Sequence, residues 1–327
     1  MKRREFIAIL GGAATAWPLV VRAQQSDRVR RIAAIIGADD ANSTAMHEAF
    51  RQELRRLGWV EGSNVFIETR FGGGDANLIR KYAAELVALS PNVIVSTGGL
   101  TTQLLLQETR TLPIVFTIVP DPVGSGFVDN LSQPGGNATG FMQFEYNLSG
   151  KWLELLKEIA PSVTRAAVLW DPTQTAGIAQ FAVIQSVAPS LGVDVRPINV
   201  RTAAETERAI AAFASQPNGG LIVTAGALTI THSPLINTLA AKHKLPAVAA
   251  SRFYVTGGIL ASYGADFVEQ QRRAAAYVDR ILKGEKPAGL PVQAPTKYAL
   301  VVNLKASKTL GIAIPPSVLG RADEVIE

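Results

Sequence analysis

The 327-residue chain contains no cysteine. That excludes a disulfide framework, a thiolate metal site, a cysteine nucleophile and a lipidated N-terminal Cys. Histidine is almost as scarce, with only His47, His232 and His243. Three residues so widely separated do not make a His-rich metal centre. Charged residues are 18% of the chain and hydrophobic residues 47%, with no low-complexity tract. Disorder is thereby excluded as the main state, and a sizeable core can be buried. No apolar run beyond the first two dozen residues approaches the ~18 that a membrane-spanning helix needs.

Catalytic signatures are missing too. There is no GxxxxGK(S/T) phosphate cradle, and the first apolar run ends Ile36-Gly37-Ala38-Asp39 without a GxGxxG turn. Val123-Gly124-Ser125-Gly126 falls one residue short of a nucleophile elbow, and His47-Glu48 has no second histidine for a zincin site. No nucleophile–base pair is visible, so a secreted enzyme is set aside. A basic stripe for nucleic acid is also absent. Residues 1–23 hold four of the 32 Lys and Arg and one of the 27 Asp and Glu, so the remainder carries 28 against 26. The later clusters Arg28/Arg30/Arg31 and Arg272/Arg273 read as solvated faces.

What is present begins with an address. Lys2-Arg3-Arg4 is a basic start, Ile7 to Val21 an apolar stretch broken by Gly11-Gly12 and Pro18, and Val21-Arg22-Ala23 a small-x-small cleavage pattern. The pattern predicts a signal peptide over residues 1–23, cleaved after Ala23, and a soluble periplasmic product. Arg3-Arg4-Glu5-Phe6-Ile7 also resembles the twin-arginine (Tat) export motif, with Lys2 and Ala8 in place of its usual Ser/Thr and Lys.

Strands and helices then alternate. Arg30–Ile36, Asn64–Thr69, Val93–Ser96 and Ile114–Ile118 read as strands, separated by helical spacings after Asn42-Ser43-Thr44, after Asp75-Ala76-Asn77 and near Leu100–Thr109. The second half repeats the plan with Ala166–Trp170, Val193–Ile198, Leu221–Thr224 and Ala247–Ala249. Val93-Ile94-Val95-Ser96-Thr97-Gly98 is matched by Leu221-Ile222-Val223-Thr224-Ala225-Gly226, and Leu112-Pro113-Ile114-Val115 by Leu245-Pro246-Ala247-Val248. The nearly constant offset predicts two similar α/β lobes, each a parallel sheet flanked by helices. The expected division is 28–142 plus about 258–285 for the first lobe and 143–257 plus about 286–327 for the second. The Gly- and Pro-rich stretch Pro120–Gly140 reads as a separator and a place for a hinge.

Ligands of open α/β sheets bind beyond the carboxyl ends of the strands. The polar residues there are Asp39, Ser43, Thr97, Gly98, Thr101 and Asp121 in the first half, and Asp171, Thr175, Thr224 and Ser251 in the second. Tyr263, near a crossover, joins them. Taken singly, such residues also cap helices. Taken from both halves, they describe a cleft that closes on a small solute.

Several stretches carry a family likeness: Pro113-Ile114-Val115-Phe116-Thr117, Asp121-Pro122-Val123-Gly124 and Gln133-Pro134-Gly135-Gly136-Asn137-Ala138-Thr139-Gly140. Further on come Ile281-Leu282-Lys283-Gly284-Glu285-Lys286-Pro287-Ala288, Leu300-Val301-Val302-Asn303-Leu304-Lys305-Ala306 and the tail from Ile314-Pro315-Pro316-Ser317. With the leader and the repeated lobes, they resemble the substrate-binding components of ABC transporters. The closest likeness is to the periplasmic-binding-protein type I group that includes tryptophan and aromatic amino-acid binders. The resemblance implies a hinged two-lobe cleft, no cofactor, no catalysis, and delivery of a small polar or aromatic solute, an amino acid among the candidates, to an ABC permease; the expected state is a monomer that binds no nucleic acid. A ligand sensor of the same fold that signals to a membrane receptor is the alternative. One departure stands out. Arg252 occupies a place where an acidic group would meet a ligand ammonium, which favours an anionic ligand.

Overall fold

The computed structural model describes residues 29–172 and 175–327, apart from the side chains of Thr175 and Ala227. The leader read over residues 1–23 lies outside the described residues.

The alternation becomes two sheets. The first is wholly parallel, in the order β2-β1-β3-β4-β5. Its strands are β1 (Arg30–Ile36), β2 (Val65–Phe71), β3 (Val93–Thr97), β4 (Ile114–Val119) and β5 (Ala138–Met142). The helices α1 (Ala41–Arg56), α2 (Ala76–Ala88) and α3 (Gly99–Glu108) join them. The second sheet runs β12-β11-β10-β9-β8-β6-β7. It holds β6 (Arg165–Trp170), β7 (Asp194–Asn199), β8 (Gly219–Val223), β9 (Ala247–Ala249), β10 (Ala261–Ala265), β11 (Tyr298–Asn303) and β12 (Glu324–Ile326). Only the β10–β11 pair is antiparallel. Its helices are α4 (Leu148–Ile159), α5 (Thr175–Val187), α6 (Ala203–Ala214), α7 (Ala227–Thr231), α8 (Ser233–Lys242) and α9 (Arg252–Thr256).

Central strands covered on both faces are apolar throughout, which is why Ile32–Ile36 and Leu221–Val223 are buried without alternation. On one face of the first sheet Phe50, Leu54, Ala274, Val278 and Ile281 pack together. On the other, Ile79, Leu86, Leu104 and Leu105 do so. The residues from 274 onward belong to α10 (Phe267–Leu282), whose apolar positions recur every three or four residues and dock on α1.

Two expectations need correcting. The strand Ala261–Ala265, expected in the first lobe, pairs with β9 and β11 in the second sheet. Only the helix after it returns to the first. The Gly- and Pro-rich stretch Pro120–Gly140 does not run between the lobes. It leads into β5, the edge strand of the first sheet, and its Val128 is buried in the first core. The chain crosses between sheets at 143–147, at Asp266 and at 294–297, since Leu290 and Val292 still pack in the first core.

β5 can approach β4 only because residue 140 is glycine. A Cβ there would stand 1.9 Å from the Phe116 carbonyl oxygen. Gly140→Ala should therefore lower unfolding stability by about 3 kcal/mol or more, in the range of a buried steric defect. Urea denaturation checks this; a loss under about 1 kcal/mol would mean that β5 can shift freely.

Candidate functional site

The crossovers tell which edges of the sheets face each other. The first leaves from Met142, the end of β5, beside the end of β4, where Gln143 N–H donates to the Val119 carbonyl at 2.8 Å. The second leaves from Ala265, the carboxyl end of β10, which runs parallel to β9. The third enters β11 at Tyr298, opposite Ala265. The antiparallel β11 begins at the edge where β10 finishes, so all three crossovers lie along the edges where the parallel strands end, and those edges of the two sheets turn toward each other. Two hollows of about 500 and 620 Å3 exist elsewhere. Both are lined only by residues from 159 onward, with none from the first sheet, so neither lies between the lobes.

In the first lobe, Asp39 is exposed at the rim after β1. Ser43 is buried, and its backbone N–H donates to Asp40, the actual N-cap of α1, at 2.7 Å. It supports the wall and does not line it. β3 ends in the half-buried Thr97, then Gly98 with φ +108°, then the first turn of α3. Thr101 is 1% exposed, and its hydroxyl donates to the carbonyls of Thr97 and Gly98 at 3.0 and 2.8 Å. It stabilises this turn and is not available to a solute. Asp121 holds a tight turn by accepting from Gly124 N–H at 2.8 Å.

Thr97 is different. Its Oγ1 accepts from Thr117 Oγ1 and from Gln271 Nε2, each at 3.2 Å. With both acceptor directions occupied, the Thr97 hydroxyl keeps its own proton for donation. Beside it, α3 starts on a glycine that supplies no side-chain cap. The first amides of a helix have no internal partner, and they favour an anion.

The second lobe shows the same turn already filled. α7 also starts after a glycine without a side-chain cap, Gly226. Here Asp171, directly after β6 and fully buried, reaches across and accepts from Leu228 N–H at 2.9 Å. The matching residue after β1 is Gly37. A Cβ added to it would lie 3.3 Å from the Thr97 carbonyl oxygen and 3.6 Å from Thr101 Cγ2. Where the second lobe carries its own carboxylate, the first has a glycine, packed closely enough that even a Cβ would press on the Thr97 carbonyl, and no carboxylate of its own at this place.

The likeness of Thr97 and Thr224 does not extend to exposure. Thr224 is fully buried and its hydroxyl donates to the Leu169 carbonyl at 2.9 Å, so it is part of the scaffold. Ser251 caps α9 through Phe253 N–H at 3.3 Å. The Thr175 side chain lies outside the described residues. Tyr263 is partly exposed, tilted against Tyr298 at 5.9 Å between ring centroids. Arg252 does not face a solute. It forms a two-pronged pair with Glu324 at 2.6 and 2.7 Å, and that pair raises its pKa. The inference of an anionic ligand from Arg252 falls with it.

Sequence reasoning passed over Tyr146, Tyr298 and Gln271. Tyr146 sits in the first crossover, and burial, then the charge of Asp121, raise its hydroxyl pKa. Tyr298 donates to Glu145 at 3.0 Å. Three tyrosines thus gather where the crossovers meet the second sheet. His47, on α1, has its pKa lowered to about 4 by burial and then by Arg51. It is neutral near pH 7 and adds no cation to this edge.

These features define a two-lobed solute-binding fold of the periplasmic-binding-protein type I class. A family model described as ABC transporter substrate binding protein matches residues 31–326, and the chain belongs to that family. A tyrosine-binding protein of Clostridioides difficile (strain R20291) is 24% identical over 263 residues, 80% of this chain and 75% of that protein. Among solved structures, a conserved domain protein from Vibrio cholerae has a TM-score of 0.82 at 28% identity. It is aligned over 91% of this chain and 100% of its own. An ABC domain in complex with L-Trp from Streptococcus pneumonia also scores 0.82, at 24% identity, over 91% and 99% of the two chains.

The two threonines should separate in solution. Thr224→Val loses a buried hydrogen bond and should lower stability by about 1–2 kcal/mol while sparing solute affinity. Thr97→Val should lose about 1–3 kcal/mol of binding, and because it also removes an acceptor of the buried Thr117 and Gln271 it should lower the melting temperature as well, so affinity is what tells the two variants apart. Calorimetric titration with a thermal melt on both variants distinguishes these outcomes. Unchanged affinity in Thr97→Val would remove it from the site.

Proposed function

We propose that the mature chain is the soluble solute-binding component of an ABC importer. It captures an amino-acid-like solute with an aromatic side chain between its lobes and hands it to the permease. The observation that carries this is the unfilled start of α3. The Thr97 hydroxyl and the uncapped amides of the first turn, with only a glycine at residue 37 and so no carboxylate of the chain's own to fill them, suit a carboxylate, as the Asp171 contact at α7 illustrates. Asp39 and Asp121 offer negative charge to an ammonium on the same solute. Tyr146, Tyr263 and Tyr298 supply aromatic surface. The named ligands of two relatives, tyrosine and L-Trp, have this chemistry.

On this reading the protein acts as a monomer without a cofactor or catalytic step. Closure places first-lobe and second-lobe groups on one small molecule. Export through the 1–23 leader, by the Tat route or otherwise, delivers it to the periplasm. Among the described residues no helix is long and apolar enough to cross a membrane. N-terminal sequencing of the exported protein should begin at Gln24; an intact Met1 would contradict cleavage.

Isothermal titration with L-tyrosine and L-tryptophan, beside tyramine and tryptamine, tests the carboxylate. The amino acids should bind at least tenfold more tightly than the amines that lack it. Gly37→Asp places a carboxylate where the solute's would sit. It should abolish binding of both amino acids while the far-ultraviolet dichroism stays that of the parent. Equal affinity for amino acid and amine would overturn the assignment.

A further inference from the structure

Helix α10 does more than cover the first sheet. It begins one residue after the second crossover, and that residue, Asp266, is its N-cap, accepting from Glu269 N–H at 3.0 Å. Asp266 also pairs with Lys297 of the third crossover at 2.9 Å, and its N–H donates to the Lys297 carbonyl at 3.0 Å. One turn on, Gln270 is 3% exposed. Its Oε1 accepts from Ile118 N–H at 2.9 Å and its Nε2 donates to the Met142 carbonyl at 2.7 Å. Met142 is the last residue before the first crossover. Ile118 lies at φ +57°, in the bulge where the β4–β5 register shifts. A β-branched residue rarely occupies that region, so something must hold it there.

A further turn along, Arg273 donates to the Ala294 carbonyl at 3.2 Å and to Thr296 Oγ1 at 2.9 Å, and also bonds Gln293. Its guanidinium rests 5.1 Å from the centre of the Phe141 ring. Positions 266, 270 and 273 recur at helical spacing on one face. Between them, Gln271 donates to Thr97 and Thr117 at 3.2 and 3.0 Å. The start of one helix therefore meets the strand end from which the first crossover leaves, the other two crossovers and the candidate solute contact.

We propose that Gln270 is the positioning residue of the hinge, fixing the first-lobe end of the first crossover and the Ile118 bulge to the helix that anchors the other two. Lobe rotation is then confined to the few residues outside these anchors, and the walls meet a solute in one relative orientation. The inference rests on the two-lobed solute-binding reading, but not on which solute binds.

The test needs no ligand. The absence of native cysteine allows spin labels at Gln107→Cys on α3 and Arg208→Cys on α6, both exposed positions on opposite lobes. Pulsed dipolar spectroscopy of the free protein then gives the interlobe distance distribution. Gln270→Ala should widen it at least twofold relative to the parent. Gln270→Glu, which keeps an acceptor for Ile118 but loses the donor to Met142, should give an intermediate width. If Gln270→Ala does not fold, Gln270→Glu is judged alone, and any clear widening supports the proposal. A distribution with the parent's centre and width in the folded variants would overturn it. Because no solute is present, failure of aromatic amino acids to bind would bear on the function reading and leave this measurement intact.

Discussion

A helix that starts on glycine leaves its first amides to whatever lies beyond it, and this constraint organises the cleft. At α7 the chain answers with its own Asp171. At α3 it answers with Gly37, which has no side chain, and with Thr97, whose hydroxyl keeps its own proton for donation. The duplicated turn has thus diverged: one copy closes on itself and the other stays open. The surrounding packing serves that difference. Thr101, Thr102 and Ser96 bond to one another and to the turn carbonyls, so the turn holds its shape without a ligand.

The two-lobe arrangement follows from where the chain crosses. All three crossings sit at the carboxyl edges of the parallel strands, so groups that a parallel sheet presents at its end turn toward the links between the lobes. Rigid lobes make this useful, because each sheet is packed on both faces and has little freedom to deform. Relative motion is left to short links.

Much of the scaffold was legible in the sequence. Buried parallel strands announce themselves as apolar runs, and β1, β3, β4, β6, β8 and β9 lie within a residue or two of where those runs stand. The repeat of wording between Val93 and Gly226 reflects two real turns at strand ends. Depth was not legible. Thr97 and Thr224 look alike in sequence, yet one is half-buried and the other sealed, because exposure depends on neighbours far along the chain. Arg252 was misread for the same reason, since Glu324 lies 72 residues away. β5 was hidden inside a Gly- and Pro-rich stretch, where composition suggests a loop and the close approach of Gly140 to Phe116 is what requires the glycine. Gln270 and Gln271 gave no signal at all. In a helix with charged neighbours a glutamine reads as solvated, and only the fold buries both.

The central claim is that the amides at the start of α3 receive a solute carboxylate. The most direct measurement is the amide resonance of Gly99 and Leu100 in 15N-labelled protein titrated with L-tyrosine and, separately, with tyramine. The account predicts large downfield proton shifts at these two positions with the amino acid and much smaller ones with the amine. Binding of L-tyrosine that leaves both resonances in place would contradict it.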